Sequence, residues 1–261
     1  MKSRHALVIG NDAYESTPLP CCVNDAMGMK NTLRSIGFQT HWGTDQRMDQ
    51  MQEMASRFVQ SIQPGSIAVF YFSGHGSQFN GVNYLCPVDN SSEIDLKYLD
   101  SYYLNVQKLV DAMEARRPRL MILILDACRR GDELRDQSRF LGKSATKMRP
   151  GLAPMRAPPG TIIGFACATD KYSYGQSKYG SNSVYTYHLL RHIKTPNMDI
   201  DLVLRKVAFD VQRETKNVQT PFRYSSCNEV ICLVGDSRMK HLRGMGGLQQ
   251  RMLMSTSTPT H

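Results

Sequence analysis

One histidine and one cysteine, each placed directly after an apolar run, are the residues best suited to chemistry. His75 stands between Gly74 and Gly76 in FYFSGHGSQFNG, and Cys128 stands in DACR directly after LMILIL. A histidine exchanges a proton near neutral pH. A cysteine needs such a base nearby to become an effective thiolate nucleophile. The pair therefore predicts nucleophilic catalysis, provided that the fold brings the two side chains together.

The elements that must position this pair follow from the apolar pattern. Short, continuously apolar runs predict strands that are buried on both faces. The predicted strands are His5–Gly10, Phe38–Trp42, Ile67–Phe72, Leu120–Leu125, Thr161–Ala166 and Asn228–Val234. Apolar residues at spacings of three and four predict helices between them: Ala26–Ile36, a helix from a cap at Asp45 to Ile62, Leu104–Ala115, Val184–Ile193 and Asp199–Lys216. The alternation predicts an α/β fold with a mostly parallel central sheet of about six strands, flanked by helices on both faces.

Both chemical residues fall at the edge of that sheet where ligands bind. In open parallel sheets the ligand lies beyond the carboxyl ends of the strands. Ile67–Phe72 leads into His75 and Leu120–Leu125 leads into Cys128, so neighbouring strands, about 4.8 Å apart, bring the two into one cleft. Backbone N–H groups of Gly76 and Cys128 are then suited to hold an oxyanion.

A second cysteine competes for the role of nucleophile. Cys167 follows the predicted strand Thr161–Ala166, but no histidine between glycines accompanies it. His5, His188 and His192 also lack such a setting. His75 and Cys128 remain the favoured pair.

Composition excludes several classes of protein. The net charge is +9, but much of it lies in two stretches without interleaved aromatic residues, so we predict no nucleic-acid binding. No apolar stretch approaches the roughly 20 residues of a membrane span, and the apolar start is too short for a signal peptide. Seven cysteines without a CxxC pair favour reduced thiols and a cytoplasmic protein. Neither a zinc pattern nor an acidic calcium cluster is evident, so we predict no metal and no cofactor.

The chain divides into one large domain and a tail. Residues 1–235 carry the strand and helix pattern, whereas residues 236–261 are polar and basic and predict a disordered tail. Within the domain, residues 129–160 are rich in Arg, Lys, Pro and Gly and predict a long loop.

Together these motifs resemble the caspase-like cysteine peptidases. SGHG and DACR match the pattern, and Cys128 follows His75 after 53 positions, where caspases place the histidine about 50 residues upstream. ALVIGNDAY, VNDA, YLCPVD and GTIIGFACAT are similar to the paracaspase and metacaspase branch. The resemblance covers about Arg4 to Gly235. It implies the caspase-hemoglobinase fold, a His75/Cys128 dyad with Gly76 in the oxyanion hole, endopeptidase activity on protein or peptide substrates, and a loop at 129–160 between large- and small-subunit-like regions.

The chain departs from caspases proper in its specificity residues. Caspases carry QACRG, but here Asp126 stands two residues before the cysteine, and VNDA supplies Asp25 where a basic residue is expected. Paracaspases and metacaspases resemble this pattern and prefer Arg or Lys. Two carboxylates favour a bidentate guanidinium and penalise a carboxylate substrate. We therefore predict that Asp25 and Asp126, with Asp170 as a third wall, bind a basic side chain; the alternative is that Asp25 caps its helix and Asp126 orients a loop.

Two other functions stay open on the sequence. One is a non-catalytic caspase-like module that acts in interaction or signalling, and the other is an aspartate-specific caspase. The oligomeric state is also open, because caspases and paracaspases pair through the last strand of the sheet, which we assign to Asn228–Val234, whereas metacaspases are commonly monomeric.

Overall fold

The computed structural model describes residues 3–90, 94–127, 149–150, 152–167 and 176–235. Cys128, Asp170, residues 129–148 and the tail 236–261 lie outside these ranges.

Ten strands form in the described residues. They are β1 (Arg4–Gly10), β2 (Gln39–Thr44), β3 (Ile67–Gly74), β4 (Gly76–Phe79), β5 (Val82–Leu85), β6 (Leu104–Asn105), β7 (Leu120–Ala127), β8 (Arg149–Pro150), β9 (Thr161–Phe165) and β10 (Phe222–Ser225).

The described helices separate these strands. They are α1 (Cys22–Ser35), α2 (Met48–Ser61), α3 (Leu99–Tyr102), α4 (Val106–Ala115), α5 (Val184–His192) and α6 (Ile200–Glu214), with a short 3₁₀ turn at Leu96–Tyr98.

Six of the strands form the central sheet, in the order β10-β9-β7-β3-β1-β2. Neighbours from β9 to β2 run parallel, and only β10 pairs antiparallel, against β9. The prediction of a mostly parallel sheet of about six strands is confirmed. The shared cleft requires the third and fourth predicted strands, Ile67–Phe72 and Leu120–Leu125, to be neighbours; they lie in β3 and β7, which pair directly.

Successive side chains of β3 and β7 enter two cores on opposite faces of the sheet. Tyr71 and Ile124 pack with α1, α5 and α6 on one face. Phe72 and Leu125 pack with α2 and α4 on the other. Both strands are buried along their whole length, which explains why their sequences are continuously apolar rather than alternating.

A smaller antiparallel sheet, in the order β6-β5-β4-β8, follows the main sheet directly after His75. Its β4–β5 hairpin turns at Asn80-Gly81, as the sequence predicts, and both residues have positive φ angles (49° and 79°), as a two-residue hairpin turn requires. β8 belongs to the predicted loop 129–160, and Leu152 just beyond it is fully buried in the core. The described end of this segment is thus packed against the domain.

The prediction of a last strand over Asn228–Val234 is wrong. The strand that closes the sheet is β10, and within 228–234 only Cys232 makes an isolated bridge, to Asp199. The apolar residues Ile231 and Leu233 of this segment are buried in the core beside α6. These two residues therefore serve core packing and do not form a strand.

The prediction that Asp45 caps the second helix is also wrong. The helix begins at Met48 with Arg47 as its N-cap. Asp45 has a positive φ of 52°, and its Oδ1 accepts hydrogen bonds from the N–H groups of Asp12 and Ala13. Its carboxylate orders the loop before α1 instead of a helix terminus.

Candidate active site

The candidate site lies where β3 and β7 end side by side. Their register pairs Ser73 with Asp126 and Gly74 with Ala127. His75 is the next residue of one chain segment, and Cys128, outside the described residues, is next in sequence on the other. The register thus carries both segments to the same edge and the same level of the sheet.

Gly76 lies against the end of β7. A Cβ atom on Gly76 would sit 2.9 Å from a methyl carbon of Leu152 and 3.1 Å from the Cβ of Ala127. Only glycine allows the backbone to approach so closely. The proposed oxyanion donor is therefore held next to the residue that precedes Cys128.

The backbone of His75 is fixed on both sides. Its N–H donates to the hydroxyl of Tyr14 (2.9 Å), and its carbonyl accepts from the N–H of Cys86 (3.0 Å). The Tyr14 hydroxyl in turn donates to the carbonyl of Cys86 (3.1 Å), and the Tyr14 and His75 rings lie 4.3 Å apart between centroids. Burial raises the pKa of Tyr14 well above its usual range, so the phenol stays protonated and remains a donor.

The ring of His75 is oriented by the loop before α1. Its Nε2 lies 2.7 Å from the carbonyl oxygen of Thr17 and 3.1 Å from the Thr17 hydroxyl. Because a carbonyl only accepts, this contact assigns the proton of the neutral ring to Nε2 and makes Nδ1 the basic nitrogen. The tautomer is the one required of a base that takes a proton through Nδ1.

Sequence reasoning missed Thr17 and Tyr14. Tyr14 lies within ALVIGNDAY, which carries the family resemblance, but nothing in the pattern assigns it a contact. Thr17 acts through its main-chain carbonyl, so no side-chain signal marks it.

Asp25 lies on α1 with no exposed surface, beside the same strand ends. Its Oδ1 accepts from the side-chain amide of Asn182 (3.0 Å) and the N–H of Ser183 (2.9 Å). Its Oδ2 accepts from the hydroxyl of Ser73 (3.1 Å) on β3.

Asp25 does not cap its own helix. The N–H groups of Cys22 and Val23, in the first turn of α1, donate instead to the carboxylate of Asp12, at 2.6 and 3.1 Å. The helix-capping alternative therefore does not describe Asp25.

Asp126, next to the end of β7, is 5% exposed and joins the same cluster. Its Oδ2 accepts from the hydroxyls of Ser183 (2.5 Å) and Thr186 (2.8 Å) at the start of α5. The Thr186 hydroxyl lies 2.6 Å from that of Tyr71 on β3. The structure thus brings the two predicted specificity residues, Asp25 and Asp126, together.

The two carboxylates influence each other's ionisation. Burial, followed by the negative charge of Asp126, raises the pKa of Asp25 from 3.8 to about 7, although the donors Asn182, Ser183 and Ser73 oppose the shift. A buried acidic pair of this kind is suited to a cationic group, whose arrival offsets the repulsion.

Two other residues named from the sequence are placed differently. Cys167, the rival nucleophile, is fully buried just beyond β9. Asp170, the predicted third wall, lies outside the described residues, so its position stays a prediction.

No group of three or more His, Cys, Asp or Glu side chains suited to a metal occurs in the described part of the chain. Across those same residues, none of the helices combines the length and the apolar character needed to cross a membrane.

Comparison with known proteins identifies the family. The family model described as the caspase domain matches residues 3–231. The chain belongs to the caspase domain family. The resemblance to caspase-like cysteine peptidase domains of the paracaspase and metacaspase branch is thereby confirmed, and the six-stranded sheet is the one expected of the caspase-hemoglobinase fold.

Two curated relatives of this caspase domain are similar over half of the chain. They are the mucosa-associated lymphoid tissue lymphoma translocation protein 1 of Homo sapiens and its homolog in Mus musculus. Each is 27% identical over 136 residues, which is 52% of this chain. The match spans only 16% of the length of either relative.

Proposed function

We propose that this caspase domain is a cysteine endopeptidase that cleaves peptide bonds after Arg or Lys. The register of β3 and β7 supports the proposal, because it pairs Gly74, which precedes His75, with Ala127, which precedes Cys128 in the sequence. Membership in a cysteine peptidase-like family supports protein or peptide substrates.

In this mechanism His75 takes the proton of the Cys128 thiol through Nδ1. The thiolate attacks the carbonyl carbon, and the N–H groups of Gly76 and Cys128 hold the oxyanion. The leaving amine receives its proton from His75, and the acyl group stays on sulfur as a thioester. Water, deprotonated by His75, then hydrolyses the thioester and restores the thiol. The contact of Nε2 with the Thr17 carbonyl supports this assignment, since it stabilises the protonated ring without competing for Nδ1.

The acidic pair supports the preference for a basic residue on the acyl side of the cut bond. Asp25 and Asp126 are buried, adjacent and both hydrogen-bonded to Ser183. An aspartate substrate would add a further negative charge beside the pair, whereas a guanidinium or ammonium group brings a positive charge that attracts both carboxylates. Asp170 completes the proposed pocket as its third wall.

The first test is cleavage of matched fluorogenic peptides that end in Arg, Lys or Asp, by the full chain and by Cys128→Ala, with and without calcium. We expect cleavage after Arg and Lys that falls at least 1000-fold in the variant, as loss of a covalent nucleophile does. Cys167→Ala is the matched control and should keep its activity. Cleavage after Asp would favour an aspartate-specific caspase, and the absence of any cleavage would favour a non-catalytic interaction module.

A further inference from the structure

Ser183 contacts both specificity carboxylates and the helix behind them. Its N–H donates to Oδ1 of Asp25 (2.9 Å), and its hydroxyl donates to Oδ2 of Asp126 (2.5 Å). The same hydroxyl oxygen accepts from the N–H of Thr186 (3.0 Å), which makes Ser183 the N-cap of α5. Ser183 itself is buried. One residue thus joins α1, β7 and α5 through three hydrogen bonds.

The direction of these hydrogen bonds is determined. A backbone N–H only donates, so the hydroxyl of Ser183 must accept from Thr186 and has its single proton left for Asp126. An ordinary N-cap uses only its acceptor. The hydroxyl proton of Ser183 is therefore donated to a carboxylate. Capping of α5 does not require this second hydrogen bond.

This arrangement bears on recognition of the substrate. A guanidinium binds two carboxylates well only when their oxygens are held in a fixed relation, because its donors form a rigid fork. An ammonium group is a compact charge with rotating donors and tolerates more misplacement. Loss of the residue that holds both acids should accordingly harm recognition of Arg more than that of Lys.

We infer that Ser183 is a positioning residue that sets the geometry of Asp25 and Asp126, and with it the preference for Arg over Lys. The inference rests on the proposed cleavage after basic residues. Ser183 acts through the two carboxylates and has no part in the dyad chemistry.

The test is Ser183→Gly in the full chain. Glycine keeps the N–H that serves Asp25 and is nearly as good as serine at the N-cap, so the variant chiefly removes the hydroxyl donated to Asp126. We expect KM for an Arg peptide to rise about tenfold, kcat to change less than twofold, and the Arg-to-Lys ratio of kcat/KM to fall about fivefold. Ser183→Thr, which restores the hydroxyl, should recover most of the ratio.

Asn105→Ala provides the matched control. Asn105 caps α4 by accepting from the N–H of Lys108 (3.1 Å), away from both carboxylates. The Asn105→Ala variant should lower Tm and leave the Arg-to-Lys ratio of kcat/KM unchanged. If Ser183→Gly also leaves KM and that ratio unchanged, the positioning role is refuted while the proposed function stands.

A second readout keeps the inference separate from activity. Carbon-13 NMR titration of the aspartate carboxyl groups should show a higher midpoint for Asp126 in Ser183→Gly, because a donor to the charged form is lost. An unchanged midpoint would overturn the inference even if no peptide were cleaved. Failure of the wild type to cleave Arg or Lys peptides would instead refute the proposed function.

Discussion

At the scale of residues, burial of the Asp25 carboxylate lowers the stability of the folded state. It is fully buried, it lies close to a second carboxylate, and in the described residues it has polar donors but no cationic partner. Removing charge from water costs several kcal/mol unless an opposite charge compensates it. A residue that opposes stability in this way is better explained by binding than by folding.

Asp25→Asn should therefore stabilise the fold while it impairs the proposed activity. The pKa of Asp25 is about 7 in the folded chain and 3.8 ordinarily, so the folded state loses stability as pH rises from about 4 to 7. Asparagine does not titrate, and its amide can turn to suit Ser73 and Ser183. We expect the free energy of unfolding of Asp25→Asn to exceed that of the wild type by about 2 kcal/mol at pH 8, which corresponds to roughly 5 °C in Tm. This difference should vanish near pH 4. Cleavage after Arg should fall about 100-fold.

Thermal unfolding at pH 4, 6 and 8 and peptide kinetics measure these effects. Asp111→Asn, at an exposed position on α4, is the control and should alter neither. A variant less stable than the wild type at pH 8 would contradict the buried-charge argument.

At the scale of elements, the site depends on a tether between β5 and the segment that follows β8. The side chain of Asn83 donates to the carbonyl of Ala153 (2.9 Å) and accepts from its N–H (2.6 Å), as a neighbouring strand would. This pairing holds Leu152 in the core, where it contacts Gly76. The tether thus reaches the proposed oxyanion donor beside the end of β7.

Asn83→Asp should loosen this tether. Aspartate has nearly the same shape but cannot donate to the Ala153 carbonyl, and it places a charge at a buried position. We expect a loss of about 2–3 kcal/mol of stability, faster hydrogen exchange at residues 152–157 and about a tenfold lower kcat. Asn80→Asp makes the same substitution in the exposed hairpin turn, where Asp is accepted, and should have little effect. Unchanged exchange at residues 152–157 would show that Asn83 does not hold the segment.

The elements also show what the sequence can and cannot predict. Continuous apolar runs identified β3 and β7, because a strand buried on both faces leaves no position for polar residues. The short strand β10 (FRYS) is half exposed and carries no such signal, whereas the apolar run at 228–234 packs without forming a ladder. The local apolar pattern of the sequence indicates which residues are buried. It does not indicate which neighbouring segment forms the backbone hydrogen bonds.

The same limit applies within the candidate site. His75, Asp25 and Asp126 can be proposed from the sequence because their side-chain types suit the proposed chemistry. Thr17 contributes its carbonyl and Ser183 its N–H and hydroxyl, and both are placed by contacts between distant parts of the chain. The roles of Cys128, Gly76 and Asp170 stay predictions, and Cys128 and Asp170 lie outside the described residues.

At the scale of the whole molecule, the central sheet ends in a half-exposed edge strand, β10. β10 pairs with β9 on one side only in the described residues, and 43% of the surface of Phe222 is exposed. Such an edge readily pairs with another chain. The sequence leaves the oligomeric state open; a homodimer that pairs through the last strand would use Phe222–Ser225 rather than residues 228–234.

We expect the full chain to dimerise at micromolar concentration, as measured by sedimentation velocity. Phe222→Lys should raise the dissociation constant of the dimer at least tenfold. A lysine on the edge opposes pairing by charge while the strand keeps its ladder to β9. Phe209→Lys is the matched control, because Phe209 on α6 is 64% exposed and lies off the strand. If both variants weaken dimerisation equally, the effect reflects a general loss of apolar surface. A wild type that stays monomeric at 100 micromolar would place this chain with monomeric metacaspases.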